Sequence, residues 1–146
     1  MNLSNFSKRL DELIKEHYKT ITQFSLEISC SEATVSRYIQ GKSYPTVDIA
    51  VRMADYFNCS VDFLLGIKDE EFEKFEFKPC PPFGERFVEV CKEKQISRYK
   101  LQQLTEIPES VMRYWVRGKT KPSIVNIVKI AEKLKVSVDY LLGREK

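Results

Sequence analysis

Phe6, Leu10, Leu13 and Ile14 recur at i, i+4, i+7 and i+8, the spacing of one face of a helix. Thr20 is a candidate N-cap for a short second helix running to about Ile28, and Ser31 for a third that ends near Gly41. Pro45-Thr46 opens a fourth, with Val47, Ala50, Met53, Ala54 and Phe57 turned inward. Ser60 caps a short fifth that stops at Gly66. The pattern predicts an all-α unit of five helices.

The same series then repeats. Phe83, Phe87, Val90 and Cys91 match the first apolar face, Ser97 matches Thr20, and Ile124, Ile127, Ile130, Ala131 and Leu134 match the fourth helix. Gly41-Lys42 with Pro45 maps onto Gly118-Lys119 with Pro122, an offset of 118 − 41 = 77. The same offset carries Ser60-Val-Asp-Phe-Leu-Leu-Gly66 onto Ser137-Val-Asp-Tyr-Leu-Leu-Gly143. A repeat of this length sets the architecture. The expected domains are 1–66 and 83–146, joined by 67–82, an acidic segment carrying Phe72, Phe75 and Phe77 and ending in Pro79-Cys80-Pro81-Pro82. That linker either extends or docks on one unit through its phenylalanines.

Composition narrows the function. No apolar run approaches the roughly 20 residues of a membrane span, and the start of the chain lacks the basic and apolar regions of a signal peptide, so the expected location is the cytoplasm. Cys30, Cys59, Cys80 and Cys91 form no C-x-x-C pair, and His17 is the single histidine; no metal or cofactor is expected. Cys30, Cys59 and Cys91 align with apolar residues and read as small core side chains, while Cys80 reads as an exposed thiol with an open redox role. His17 has no nucleophile pattern nearby, and the five glycines form no phosphate loop, which points away from an enzyme. Two small bundles leave little room for a small-molecule pocket. Net charge is +3 overall: −1 over 1–66 (7 basic, 8 acidic), −2 over 67–82 (3 and 5) and +6 over 83–146 (14 and 8). The second unit alone carries a basic excess of the kind that attracts phosphates.

In the helix opened by Ser31, Val35, Tyr38 and Ile39 share one face. Ala33, Ser36, Arg37 and Gln40 lie opposite, and Glu32 begins that outer face. An arginine there can take guanine O6 and N7 together, and a glutamate can accept from cytosine N4. A short helix, a tight turn, this helix and a basic loop make a helix-turn-helix arrangement.

Residues 21–66 and 98–143 resemble the Cro and phage-repressor (XRE) type of helix-turn-helix domain. The resemblance rests on Ser31-Glu-Ala-Thr-Val-Ser-Arg-Tyr38, Gly41-Lys42 with Pro45, and Val61-Asp-Phe-Leu-Leu65. In the second copy it rests on Ile107-Pro-Glu-Ser-Val-Met-Arg-Tyr-Trp115, Gly118-Lys-Thr-Lys-Pro122 and Val138-Asp-Tyr-Leu-Leu142. It implies two tandem lambda-repressor-like five-helix bundles and a regulator, by family habit a repressor, of double-stranded DNA. Carried over by position, Ser31 caps the helix and touches phosphate. Glu32, Ala33 and Arg37 face bases, Thr34 and Ser36 lie near the backbone, and Lys42 and Ser43 approach phosphates. In the second unit Glu109, Ser110, Arg113 and Tyr114 form the reading face, with Arg117, Lys119, Thr120 and Lys121 at phosphates. Trp115, aligned with Tyr38, is expected in the core.

The chain departs from the family pattern at several points. Ile21 and Arg98 stand where a glutamine often contacts phosphate. Gln102 is larger than the usual small residue, Ser29 and Glu106 replace the turn glycine, and Pro108 replaces the hydroxyl cap. Antitoxins and regulators of other DNA-binding proteins share this scaffold, so a protein-binding module, or a dimer of the chain itself, is the competing expectation.

Overall fold

The computed structural model describes residues 3–69 and 76–145; Phe72 and Phe75 lie outside them. The chain forms two compact units, 1–73 and 74–146. The first holds α1 (Phe6–Glu16), α2 (Ile21–Glu27), α3 (Glu32–Ile39), α4 (Val47–Phe57) and α5 (Val61–Leu64). The second holds α6 (Phe83–Glu93), α7 (Arg98–Thr105), α8 (Glu109–Val116), α9 (Ile124–Leu134) and α10 (Val138–Leu142). Among the described residues every regular element is helical, and no helix is long and apolar enough to cross a membrane.

Local chemistry explains the helix starts. The side chains of Thr20, Ser31, Thr46 and Ser60 each accept an N–H from the first turn of the helix they open. Ser97, Ser123 and Ser137 do the same in the second unit. At Thr20 the cap is reciprocal, because Gln23 Oε1 accepts the Thr20 N–H at 2.9 Å. Such caps satisfy donors that the helix itself leaves unpaired, each contributing about 1 kcal/mol.

Phe6, Leu10, Phe24, Val35, Ala50, Met53, Val61 and Leu64 are at most 1% exposed and form the first core. Phe87, Val90, Leu101, Met112, Ile127, Ile130, Val138 and Leu141 form the second. The predicted inward sets are largely those that are buried, although Val47, Ile39 and Phe83 end up half-buried at the rim. Cys59 and Cys91 are buried as expected, whereas Cys30 sits half-exposed in the turn before α3 and Cys80 is exposed.

An arginine–aromatic clamp holds each bundle shut, and it appears twice. In the first unit the Arg9 guanidinium lies 4.0 Å from the centre of the Phe63 ring and donates to the Phe63 and Lys68 carbonyls at 2.6 and 3.0 Å. In the second, Arg86 lies 4.7 Å from the Tyr140 ring and donates twice to the Tyr140 carbonyl, at 3.1 and 2.7 Å. Each clamp ties the first helix of its bundle to the last, adding cation–π attraction to charge-assisted hydrogen bonds.

The end of the linker docks on the second unit. Phe77 pairs with Glu145 as an isolated antiparallel bridge, and Lys78 N–H donates to the Arg144 carbonyl at 2.8 Å. The Arg144 guanidinium lies 3.8 Å from the centre of the Phe77 ring. Gly143 makes room for this strap, since a β-carbon there would lie 2.8 Å from Pro81 Cδ.

Candidate nucleic-acid interface

In each unit a helix, a tight turn and a second helix set up the candidate surface. Between α2 and α3 the chain reverses at Ser29, whose φ is +58°; between α7 and α8 it reverses at Glu106, φ +63°. Both are left-handed positions, which cost an L-residue about 1 kcal/mol relative to glycine. Ser29→Gly and Glu106→Gly are each expected to raise stability by about 0.5–1 kcal/mol, measured by urea unfolding. A loss would show that the serine or glutamate side chain makes a compensating contact.

α3 is held by its inner side. Val35 and Tyr38 are 0% and 4% exposed, and the Tyr38 ring sits 6.0 Å from that of Phe6 on α1. Burial pushes the Tyr38 phenol above its ordinary pKa, so it stays neutral. Ser31 Oγ accepts the Thr34 N–H at 3.1 Å and lies 2.7 Å from Thr34 Oγ1. Outside, Glu32, Ala33, Arg37, Gln40 and Lys42 are exposed, and Thr34, Ser36 and Ser43 are half-exposed. The helix ends where Gly41, φ +73°, lets the Lys42 N–H return to the Arg37 carbonyl at 2.9 Å. Lys42 is thereby fixed one turn beyond Arg37.

The second unit builds the same frame with different chemistry. Met112 and Trp115 are 0% and 2% exposed, and Trp115 meets the rings of Phe87 and Phe83 edge-on at 5.7 and 6.0 Å. α6 approaches closely because position 84 is glycine; a β-carbon there would lie 2.4 Å from the Trp115 carbonyl oxygen. Ser110, Arg113, Tyr114, Arg117, Lys119, Thr120 and Lys121 are exposed, and Glu109 is half-buried. Tyr114 and Lys119 lean together, with the ammonium 6.0 Å from the ring centre. Gly118, φ +72°, returns the Lys119 N–H to the Tyr114 carbonyl at 2.9 Å.

Two departures from the family pattern compensate each other here. Pro108 offers no hydroxyl, and α8 has no side-chain cap from its own N-cap residue. Gln102, on α7, instead reaches across the turn, and its Oε1 accepts the Glu109 N–H at 2.6 Å. In the first unit Ser25, at the equivalent position, bonds its own helix at the Ile21 carbonyl and Ser31 does the capping. Gln102→Ala is expected to destabilise the second unit by about 1 kcal/mol. Pro108→Ser is expected to recover most of that loss when added to Gln102→Ala. Strict additivity of the two changes in denaturant unfolding would refute the coupling.

The comparisons agree with this geometry. The family model for helix-turn-helix proteins (HTH_3) matches the chain twice, over residues 10–64 and 89–141. The uncharacterised HTH-type transcriptional regulator YobD of Bacillus subtilis (strain 168) is 30% identical over 81 residues, which span 56% of this chain and 72% of that protein. No solved structure matches significantly. The two matched segments each contain one helix-turn-helix pair with its buried inner face, and the chain belongs to the helix-turn-helix family of the Cro and phage-repressor (XRE) type, a DNA-binding family, with the domain present twice.

Proposed function

We propose that the chain is a sequence-specific transcriptional regulator, a repressor, that lays α3, α8 or both in the major groove of double-stranded DNA. The observation that carries this reading is the division of α3. Its inner face is anchored by Val35 and Tyr38, and its outer face presents Glu32, Ala33 and Arg37 to solvent. A helix gripped on one side and armed with a guanidinium on the other suits base-edge recognition. Lys42 and Ser43 in the first unit, and Arg117, Lys119, Thr120 and Lys121 in the second, take phosphates and set register, while base contacts choose the site. Repression follows from occupancy: a bound regulator excludes other proteins from the same stretch of DNA. YobD is itself named a transcriptional regulator.

Selection of bound duplexes from a random library with the full chain tests the reading. Both units reading bases yields a bipartite motif with fixed spacing, and one unit reading yields a single short motif. No enrichment at low salt with folded protein sinks the DNA reading. That outcome would favour a protein-binding module, either self-associating or binding another protein, for which the net charge of −1 over residues 1–66 is the supporting observation.

Salt supplies a second check. Each phosphate contact contributes a slope of about −0.9 in log K against log salt concentration. The pair Lys119→Ala and Lys121→Ala should therefore flatten the slope by about 2, with sequence preference unchanged. An unaltered slope removes both residues from the interface.

A further inference from the structure

Position by position, the two units differ on a surface formed by residues other than those proposed above to read or grip DNA. On the first unit, the outside of α1 and the turn to α2 is closed by ion pairs. Lys15 Nζ meets Asp11 at 2.9 Å, and Lys19 Nζ meets Glu27 at 3.0 Å. At the equivalent positions of the second unit, Val88 replaces Asp11, Ile96 replaces Lys19 and Leu104 replaces Glu27. Lys92 keeps the place of Lys15 but has lost its carboxylate, and Arg98 replaces Ile21.

A groove of about 490 Å³ lies between α6 and α7, lined by Val88, Cys91, Lys92, Ile96 and Arg98 among others. Val88 and Ile96 are half-exposed along it, and Leu104 is 39% exposed on α7. Burial pushes the Cys91 thiol up to about 11 against the pull of the Arg98 charge, so the floor is a neutral thiol beside apolar carbon. Neither Lys92 nor Arg98 forms an ion pair among the described residues. One unit thus keeps charges paired where the other exposes apolar side chains beside two cations.

We propose that this groove on the second unit docks an acidic segment of a partner protein, seating an apolar side chain over Val88, Cys91 and Ile96 and placing its carboxylates against Lys92 and Arg98. Charge complementarity selects this occupant. Apolar carbon at the floor has nothing to offer a phosphodiester, and two unpaired cations at the rim discriminate against a basic or neutral segment. A groove open along its length suits an extended or helical segment better than a small molecule, which needs most of its surface enclosed.

The test is selection of a random peptide library on the full-length chain. Enriched peptides should combine Asp or Glu with Leu, Phe or Trp. Their binding should weaken by at least roughly tenfold in two variants. The first, Val88→Asp with Ile96→Lys and Leu104→Glu, grafts the pairing of the first unit onto the second. It uses residues that the homologous bundle already accommodates, and the fluorescence of Trp115 checks that the unit is folded. The second, Lys92→Glu with Arg98→Glu, reverses the rim. No enrichment, enrichment of peptides without acidic residues, or binding that survives both variants overturns the proposal. So does concentration-dependent self-association that the graft abolishes, since it would assign the groove to a second copy of this chain. Because α3 and α8 are untouched, DNA binding by the graft variant stays at the parent level, and failure here is separable from failure of the DNA reading.

Discussion

Arg37→Ala is expected to weaken binding to the selected duplex by roughly 5- to 150-fold, about 1–3 kcal/mol, and to relax preference at one base pair. The guanidinium is exposed on the outer face of α3. The helix beneath it is fixed by Val35, by Tyr38 against Phe6, and by the Ser31 cap. A rigid support matters because two parallel hydrogen bonds to guanine O6 and N7 tolerate little misplacement. Arg37→Lys should recover little, since an ammonium cannot offer the planar fork. Affinity for unrelated duplex should barely change in either variant. An unchanged constant for the selected site would remove Arg37 from base readout and pass the role to its neighbours on α3. The second unit carries Tyr114 at the equivalent position and Arg113 where the first has Ser36. If both units read DNA, they therefore prefer different bases at these positions.

Much of the helical frame beneath this surface was legible in the sequence because its determinants are local. The period of Phe6, Leu10, Leu13 and Ile14, the hydroxyls at 20, 31, 46 and 60, and the glycine at 41 each act within one or two turns. The 77-residue offset repeats these determinants in the second unit, except that Pro108 stands in place of the Ser31 hydroxyl. Features that depend on distant atoms were not legible. Nothing local says that Gln102 will cap α8, because that needs the turn to bring the side chain within reach of Glu109. The clamps link residues 54 apart, Arg9 to Phe63 and Arg86 to Tyr140. The repeat did hold a signal for them, as both copies keep an arginine at the first site and an aromatic ring at the second. Phe77 illustrates the remaining gap. The sequence left open whether the linker phenylalanines dock, and the answer turns on Arg144, whose aligned residue in the first unit is Ile67. No repeat comparison could foresee a contact that one unit lacks.

That unshared contact carries the largest expected effect on stability. Asp139→Ala is expected to destabilise the second unit by about 3–5 kcal/mol. Arg144 and Asp139 are each 1% exposed, with Nη1 and Oδ1 2.7 Å apart. The guanidinium is covered by the Phe77 ring on one face, and the Arg144 N–H is tied to the Asp139 carbonyl at 2.9 Å. Removing the carboxylate takes its charge-assisted bond from a cation that water barely reaches, so the cost is mainly desolvation that this bond no longer offsets. The strap from Phe77 to Lys78, which pairs with the 144–145 backbone, should loosen with it. Trp115 is the single tryptophan and lies in the second unit, so its fluorescence reports that unit alone, while far-ultraviolet circular dichroism reports both. The tryptophan transition should move to lower denaturant, or vanish, while a transition belonging to the first unit persists in the dichroism. Asp139→Leu combined with Arg144→Met should restore much of the loss, because replacing a buried pair by apolar side chains of similar volume is often near neutral. Equal loss in the single and double variants would mean that packing around Phe77, rather than the lost ion pair, sets the cost.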